Sequence, residues 1–138
     1  MNNHETAEKL ISEAHILQEE LDRAYERRHW NLVVRRAQEV VELCLKGLLK
    51  ALGAEYPRRH DVGDAFAEAV AAKRLELDAD RVERIKAISS YLARDRAPAF
   101  YMEQDFTQEQ AEQAKADARF VLTFTDDLAK RLRSGTQE

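Results

Sequence analysis

The sequence predicts an all-α fold, an up-and-down helical bundle of four long helices plus one short helix. Apolar residues recur at three- and four-residue steps through most of the chain, which is the period of an amphipathic helix. Helix-forming residues, above all Ala, Leu, Glu and Arg, dominate the composition. Only 4 glycines and 2 prolines interrupt the pattern, so short connections between antiparallel neighbours are expected.

The composition fits one domain, which we place at residues 1–133, followed by a disordered tail at residues 134–138. A length of 138 residues with 44% hydrophobic residues suffices for a single core. Proteins that coat nucleic acids are usually basic, and the net charge of −4 does not fit that class. A local basic site is still compatible with this charge. The single cysteine excludes an internal disulfide. With no membrane span or signal peptide recognisable, the sequence predicts a cytoplasmic location.

The first two helices carry the clearest apolar stripes. The first is predicted from about Thr6 to Arg27. The second is predicted from Trp30 to Leu52, and its apolar arc is wide enough to favour a central position in the bundle. Gly53 follows its last apolar residue, where a left-handed glycine commonly ends a helix.

The third helix is short, and the fourth leads into an aromatic segment. Asp61 is expected to begin the third helix, because its carboxylate can accept hydrogen bonds from free backbone N–H groups. The fourth helix is predicted from about Asp80 and should stop at Pro98. An irregular loop rich in aromatic residues, from Ala99 to Phe106, would then follow.

The fifth helix is predicted to begin with a capping box and to end near Arg133. Thr107 and Gln110 have the spacing at which each side chain can accept from the other's backbone N–H. Phe120 and Phe124 lie off the main apolar stripe, four residues apart. They could form a second apolar face for a partner helix, or they could pack beneath the aromatic loop.

Residues suited to metal or thiol chemistry are sparse. The four histidines, at positions 4, 15, 29 and 60, form no metal-binding motif, so no metal and no cofactor is predicted. Cys44 lies on the apolar stripe of the second helix, where a packed thiol is expected rather than a nucleophile. The glycines lack the spacing of a phosphate-binding loop, so a nucleotide would be held by side chains and helix ends.

The arginines are more informative, because several of them lie near aromatic residues. A guanidinium group suits a phosphate, and an exposed ring can stack on a base. The alternative is an ordinary solvated surface with ion pairs such as Arg35 with Glu39 or Glu42 with Lys46. The candidate ligand-binding residues are Arg35, His60, Arg94, Asp95, Arg96, Phe100 and Tyr101.

Six segments between about Trp30 and Leu132 form an ordered set: Arg35–Leu49, Leu52-Gly53, Tyr56-Pro57, His60–Asp64, Arg96–Tyr101 and Asp105–Thr107. Together these segments resemble HEPN domains. The resemblance implies an up-and-down helical bundle that often forms a homodimer and takes part in nucleotide or RNA interactions. Many members are encoded beside a small nucleotidyltransferase, and some such pairs act as toxin and antitoxin.

One part of the family pattern is missing. Active ribonucleases of the family carry an Arg followed, four to six residues later, by a His. Arg94 matches the Arg, but residues 99–101 are Ala, Phe and Tyr, and no histidine follows His60. Cleavage at a 2′-hydroxyl requires a base that works near neutral pH, which a histidine supplies and a tyrosine such as Tyr101 supplies poorly. His60 could enter the site from another element, or it could stabilise the loop beside Asp61.

Three functions remain open from the sequence. The favoured one is a binding module for nucleotide or RNA phosphate, for a partner nucleotidyltransferase in a toxin-antitoxin-like pair, or for both. The second is a metal-independent ribonuclease that uses Arg94 with Tyr101 or His60. The third is a structural dimer without a ligand. The missing histidine argues against an enzyme.

Overall fold

The computed structural model describes residues 2–137, and this part of the chain contains five helices and no strand. Four helices have 22 or more residues and one has 10, so the predicted fold class is confirmed. The helices are α1 (Asn3–Glu26), α2 (Trp30–Ala51), α3 (Gly63–Ala72), α4 (Ala79–Phe100) and α5 (Gln108–Gln137).

Helix α2 lies at the centre of the bundle, as predicted. It packs against each of the other four helices, and none of its residues from Asn31 to Lys50 is exposed. Gly47 permits a close approach of α1, because a Cβ atom at this position would lie 2.8 Å from Cγ1 of Ile11. The polar residues of α2 are therefore at least partly covered by neighbouring elements.

The predicted ends of three helices differ from the observed ends by one to four residues. Helix α1 begins at Asn3 rather than Thr6, because the Asn2 side chain accepts a hydrogen bond from the Glu5 N–H at 2.8 Å. It ends at Glu26, and α2 ends at Ala51, with Gly53 in the expected left-handed conformation at φ 72°. Helix α5 continues beyond residue 133 to residue 137. Disorder of residues 134–138 stays a prediction, and residue 138 lies outside the described residues.

Helix α4 does not stop at Pro98, which lies inside its last turn. The predicted loop from Ala99 was therefore wrong for its first two residues. A proline removes one N–H donor, but the Tyr101 N–H still donates to the Ala97 carbonyl at 2.9 Å and closes the turn. The continued helix places Phe100 one turn beyond residue 96, on the same helix face.

Helix α3 begins differently from the prediction, because its N-cap is Val62 rather than Asp61. The cap comes from α4: the Ser89 hydroxyl accepts from the Val62 and Gly63 N–H groups at 3.1 and 3.2 Å. The same hydroxyl donates to Oδ1 of Asp61 at 2.7 Å, and that oxygen also accepts from the Gly63 N–H at 3.2 Å. Asp61 thus contributes to the cap from one position earlier and links α3 to α4.

The capping box of α5 is confirmed. The Thr107 N–H donates to Oε1 of Gln110 at 2.9 Å, and the Gln110 N–H donates to Oγ1 of Thr107 at 3.1 Å. These two bonds fix the end of the loop that follows α4.

Phe120 and Phe124 of α5 face other helices of their own chain. Phe124 packs edge-on against Phe66 of α3, with ring centroids 6.0 Å apart. The Arg84 guanidinium of α4 covers Phe120 at 3.8 Å from the ring centroid. Neither alternative from the sequence describes these surroundings, because the two rings lie neither beneath the aromatic loop nor on an open apolar face.

Candidate functional site

Helices α2 and α4 meet in antiparallel orientation where α4 ends. Arg35 near the start of α2 contacts Phe100 at the end of α4, whereas Gln38 further along α2 contacts the earlier Arg96. We call this line of contacts the α2/α4 seam. It brings together four of the predicted site residues, namely Arg35, Arg96, Phe100 and, through Phe100, Tyr101.

The exposed apolar side chains at the end of α4 form one group, which we call the aromatic end: Phe100, Tyr101 and Met102. They are 48%, 68% and 70% exposed, and the two rings touch edge-to-face with centroids 4.9 Å apart. The Arg35 guanidinium carbon lies 4.8 Å from the Phe100 ring centroid. Within residues 2–137, Arg35 makes no hydrogen bond or ion pair, so its N–H donors remain available to a ligand.

Arg96 is engaged by its own chain. Its Nη1 donates to Oε1 of Gln38 at 2.7 Å and lies 3.6 Å from a carboxylate oxygen of Glu39. Glu39 also accepts from Arg36 at 2.6 Å, and Arg36 reaches Glu20 of α1 at 3.1 Å. The pairing of Arg35 with Glu39 expected from their spacing is therefore replaced by Arg36 and Arg96.

Arg94 lies on another side of α4. Its side chain is 73% exposed and contacts the neighbouring Asp95, with Nε 3.3 Å from Oδ1. Two residues along an α-helix correspond to a rotation of about 200°, so Arg94 points away from the face that carries Arg96. The structure therefore does not bring these two arginines together, and a ligand role for Arg94 and Asp95 stays a prediction.

His60 stabilises the loop before α3 rather than approaching the aromatic end. Its Nδ1 lies 2.7 Å from Oε1 of Glu42, which also accepts from Gln38 at 2.9 Å and, through Oε2, from Lys46 at 2.6 Å. Burial opposes ionisation of Glu42, yet hydrogen bonds from Gln38, Lys46 and His60 together lower the pKa of this carboxyl. Among the described residues no contact joins Arg94 to His60 or to Tyr101, so the pairs required by the ribonuclease hypothesis are not assembled.

Asn31 shapes the site, although no sequence pattern indicates a role for it. Its side-chain nitrogen donates to the carbonyls of Ala99 and Gln104 at 3.2 and 2.8 Å and lies 3.2 Å from the Met102 sulfur. Its side-chain oxygen accepts from the Phe106 N–H at 3.0 Å. One amide thus holds both ends of the loop between α4 and α5, in which Met102 has a left-handed φ of 55°.

Two cavities flank the bundle. The larger, about 1080 Å³, lies where the start of α1 meets the ends of α2 and α5, and it contains none of the predicted site residues. The smaller, about 370 Å³, lies beside the aromatic end and includes Met102 in its wall. A ligand held by Arg35 would therefore adjoin the smaller cavity.

Cys44 is buried, as predicted. Burial raises the pKa of its thiol to about 12. A thiol with this pKa is almost entirely protonated at neutral pH and is a poor nucleophile. Cys44 therefore belongs to the core of the bundle.

These features define an all-α bundle protein with a candidate phosphate-binding surface at one end. Among the described residues no group of three or more His, Cys, Asp or Glu side chains could hold a metal ion. No helix in the same part of the chain has the length and apolarity to cross a membrane.

A family model described as HEPN domain matches residues 7–128, which is most of the chain. The chain therefore belongs to the HEPN domain family, as the resemblance indicated. Membership supports a nucleotide- or RNA-related or ribonuclease-type role at the level of the family, in which dimers are common. The chain has no significant match among curated proteins or solved structures.

Proposed function

We propose that this HEPN domain binds nucleotide or RNA phosphate through Arg35, beside the aromatic end of α4. The observation that carries the proposal is the contrast between two adjacent arginines of α2. Arg36 uses its donors on Glu20 and Glu39, whereas Arg35 is stacked on Phe100 and has no hydrogen bond or ion pair with any residue of the described range. A guanidinium held by a ring, with free donors, is well suited to a phosphate.

In this proposal Arg96 positions α4 against α2 and does not itself contact the phosphate. Its bonds to Gln38 and Glu39 hold α4 against α2, so that Phe100 lies over Arg35. Arg94 makes no contact with this surface and serves as a natural control. The proposal therefore assigns the phosphate contact to Arg35, and it uses Phe100 and Tyr101 as neighbouring rings for a base.

Arg35→Gln is expected to weaken binding of a short single-stranded RNA by roughly tenfold, because one phosphate contact is lost. The slope of log affinity against log salt should fall by about 0.7, the value for one phosphate on a single strand. Fluorescence anisotropy with labelled RNA at several salt concentrations measures both quantities.

Arg94→Gln is the matched control, because it removes the same charge from an exposed side chain on another face of α4. It should change the affinity by less than about twofold, as expected for a screened surface charge. An equal loss in both variants would mean that only net charge matters. Absence of RNA and nucleotide binding by the unmodified chain would refute the proposed function.

A protein partner at the aromatic end is the second candidate, favoured by three consecutive exposed apolar side chains. The partner would be a second copy of the chain or the nucleotidyltransferase that accompanies many HEPN domains. For a homodimer, Tyr101→Asp should convert the mass in solution from dimer to monomer, because a charge would be buried at the interface.

Ile16→Asp provides the control, since Ile16 is also exposed, at 53%, but lies on α1. Light scattering coupled to size exclusion measures the mass of each variant. A dimer that survives Tyr101→Asp and dissociates with Ile16→Asp would place the interface on α1 instead.

A further inference from the structure

The smaller cavity, about 370 Å³, opens between the start of α2 and the loop that joins α4 to α5. Trp30, Phe106 and Met102 supply its apolar walls, and Asp105 and His29 lie at its edge. We propose that this cavity receives the base of a nucleoside monophosphate, with a preference for bases that carry an exocyclic amino group. The inference rests on the proposed phosphate contact of Arg35.

The walls suit a flat aromatic ligand. Phe106 is buried and lines the cavity, while Trp30 packs against Tyr25 with ring centroids 5.3 Å apart, which holds the indole in place. A volume of about 370 Å³ lies near the lower end of the range for small-molecule sites. Bases stack on aromatic side chains irrespective of their sequence, so the rings supply affinity rather than selectivity.

The remaining wall is held in place by Asn31. Both polar atoms of its amide are already occupied by backbone groups of the loop and by the Met102 sulfur. Asn31 therefore shapes the cavity, and its amide hydrogens are not free to donate to a base. Met102, whose sulfur lies 3.2 Å from the Asn31 nitrogen, has a left-handed backbone conformation and lines the cavity.

Asp105 is the group that could distinguish bases. It is exposed, and within residues 2–137 its carboxylate makes no hydrogen bond or ion pair. An ionised carboxylate can only accept hydrogen bonds. Adenine, cytosine and guanine present an amino donor, whereas uracil presents a carbonyl oxygen in place of the cytosine amino group. When the exocyclic group of the base faces Asp105, a base that carries an amino group at that position should therefore be preferred over uracil, whose only ring donor is N3–H.

The phosphate of the same ligand would be directed to Arg35. The negative charge of Asp105 repels a phosphate, so the base and not the phosphate enters the cavity. Arg35 lies four residues after Asn31 on the same face of α2, which is about 6 Å along the helix axis. This separation places a cationic group one helical turn from the proposed base site.

Trp30 is the only tryptophan of the chain and lines the cavity, so its fluorescence reports occupancy directly. Titrations use AMP, CMP, UMP and ribose 5-phosphate. We expect AMP and CMP to change Trp30 emission, with UMP requiring roughly tenfold higher concentrations because one hydrogen bond is lost. Ribose 5-phosphate should bind through Arg35 without changing the emission.

Asp105→Asn should bring the affinities for CMP and UMP to within about threefold of each other, because an amide can also donate to a carbonyl oxygen. Glu103→Gln is the matched control in the same loop and should keep the preference. A preference that survives Asp105→Asn would overturn the inference.

Calorimetry with the same ligands separates the two proposals. If AMP, CMP, UMP and ribose 5-phosphate bind equally and Trp30 emission stays constant, the base site is refuted and the phosphate contact stands. If none of the four ligands binds, and RNA does not bind either, both proposals are refuted.

Discussion

Phe66→Ala is expected to lower the free energy of unfolding by about 3–5 kcal/mol. Phe66 is fully buried and is the largest of the fully buried side chains. It anchors α3, which has only 10 residues, through its edge-on contact with Phe124 of α5. Truncation to alanine removes buried apolar surface and leaves a cavity that the surrounding long helices cannot readily fill.

Chemical denaturation followed by circular dichroism measures this change. Phe66→Leu is the control, because it keeps most of the volume and should cost about 1.5 kcal/mol or less. A loss below about 1 kcal/mol for Phe66→Ala would mean that α3 does not pack on the bundle as described.

Ser89→Ala is expected to lower the free energy of unfolding by about 1–3 kcal/mol, the usual cost of an unpaired buried polar group. The Ser89 hydroxyl accepts from the Val62 and Gly63 N–H groups and donates to Asp61. Without the hydroxyl, the Gly63 N–H retains Asp61 as acceptor at 3.2 Å, whereas the Val62 N–H has no side-chain acceptor. The beginning of α3 should therefore loosen, with faster amide exchange at Val62 than in the unmodified chain.

Ser90→Ala makes the same chemical change one residue later, at an exposed position, and should alter stability by no more than about 0.5 kcal/mol. The comparison removes any contribution from helix propensity, which is the same for both substitutions. Equal effects of the two variants would show that the shared cap between α3 and α4 contributes nothing.

The fold could be predicted because its signals are local. The helical period and the Thr107–Gln110 capping box each depend on residues within one or a few turns. The wide apolar arc of α2 likewise indicated its central position. The predicted stop at Pro98 was wrong, because α4 continues for two residues beyond it and later N–H groups close its final turn.

The candidate site was only partly predictable, because its contacts join residues far apart in the sequence. The candidate residues Arg35, Phe100 and Tyr101 lie together, whereas Arg94 and Arg96, two residues apart in the sequence, lie on different faces of α4. The rotation of α4 decides which arginine faces α2, and that rotation depends on packing across the bundle. The role of Asn31 could not be predicted for the same reason, because its partners lie 68 to 75 residues later.

The amide of Gln38 has two chemically different ends, and each end has its own required neighbour. Its oxygen accepts from the Arg96 guanidinium at 2.7 Å, and its nitrogen donates to the Glu42 carboxylate at 2.9 Å. Turning the amide over would set donor against donor and acceptor against acceptor, so only one orientation is compatible with both neighbours. Gln38 therefore fixes the rotation of α4 about its own axis. With α4 in this rotation, the Phe100 ring lies over Arg35, and Arg94 faces outward.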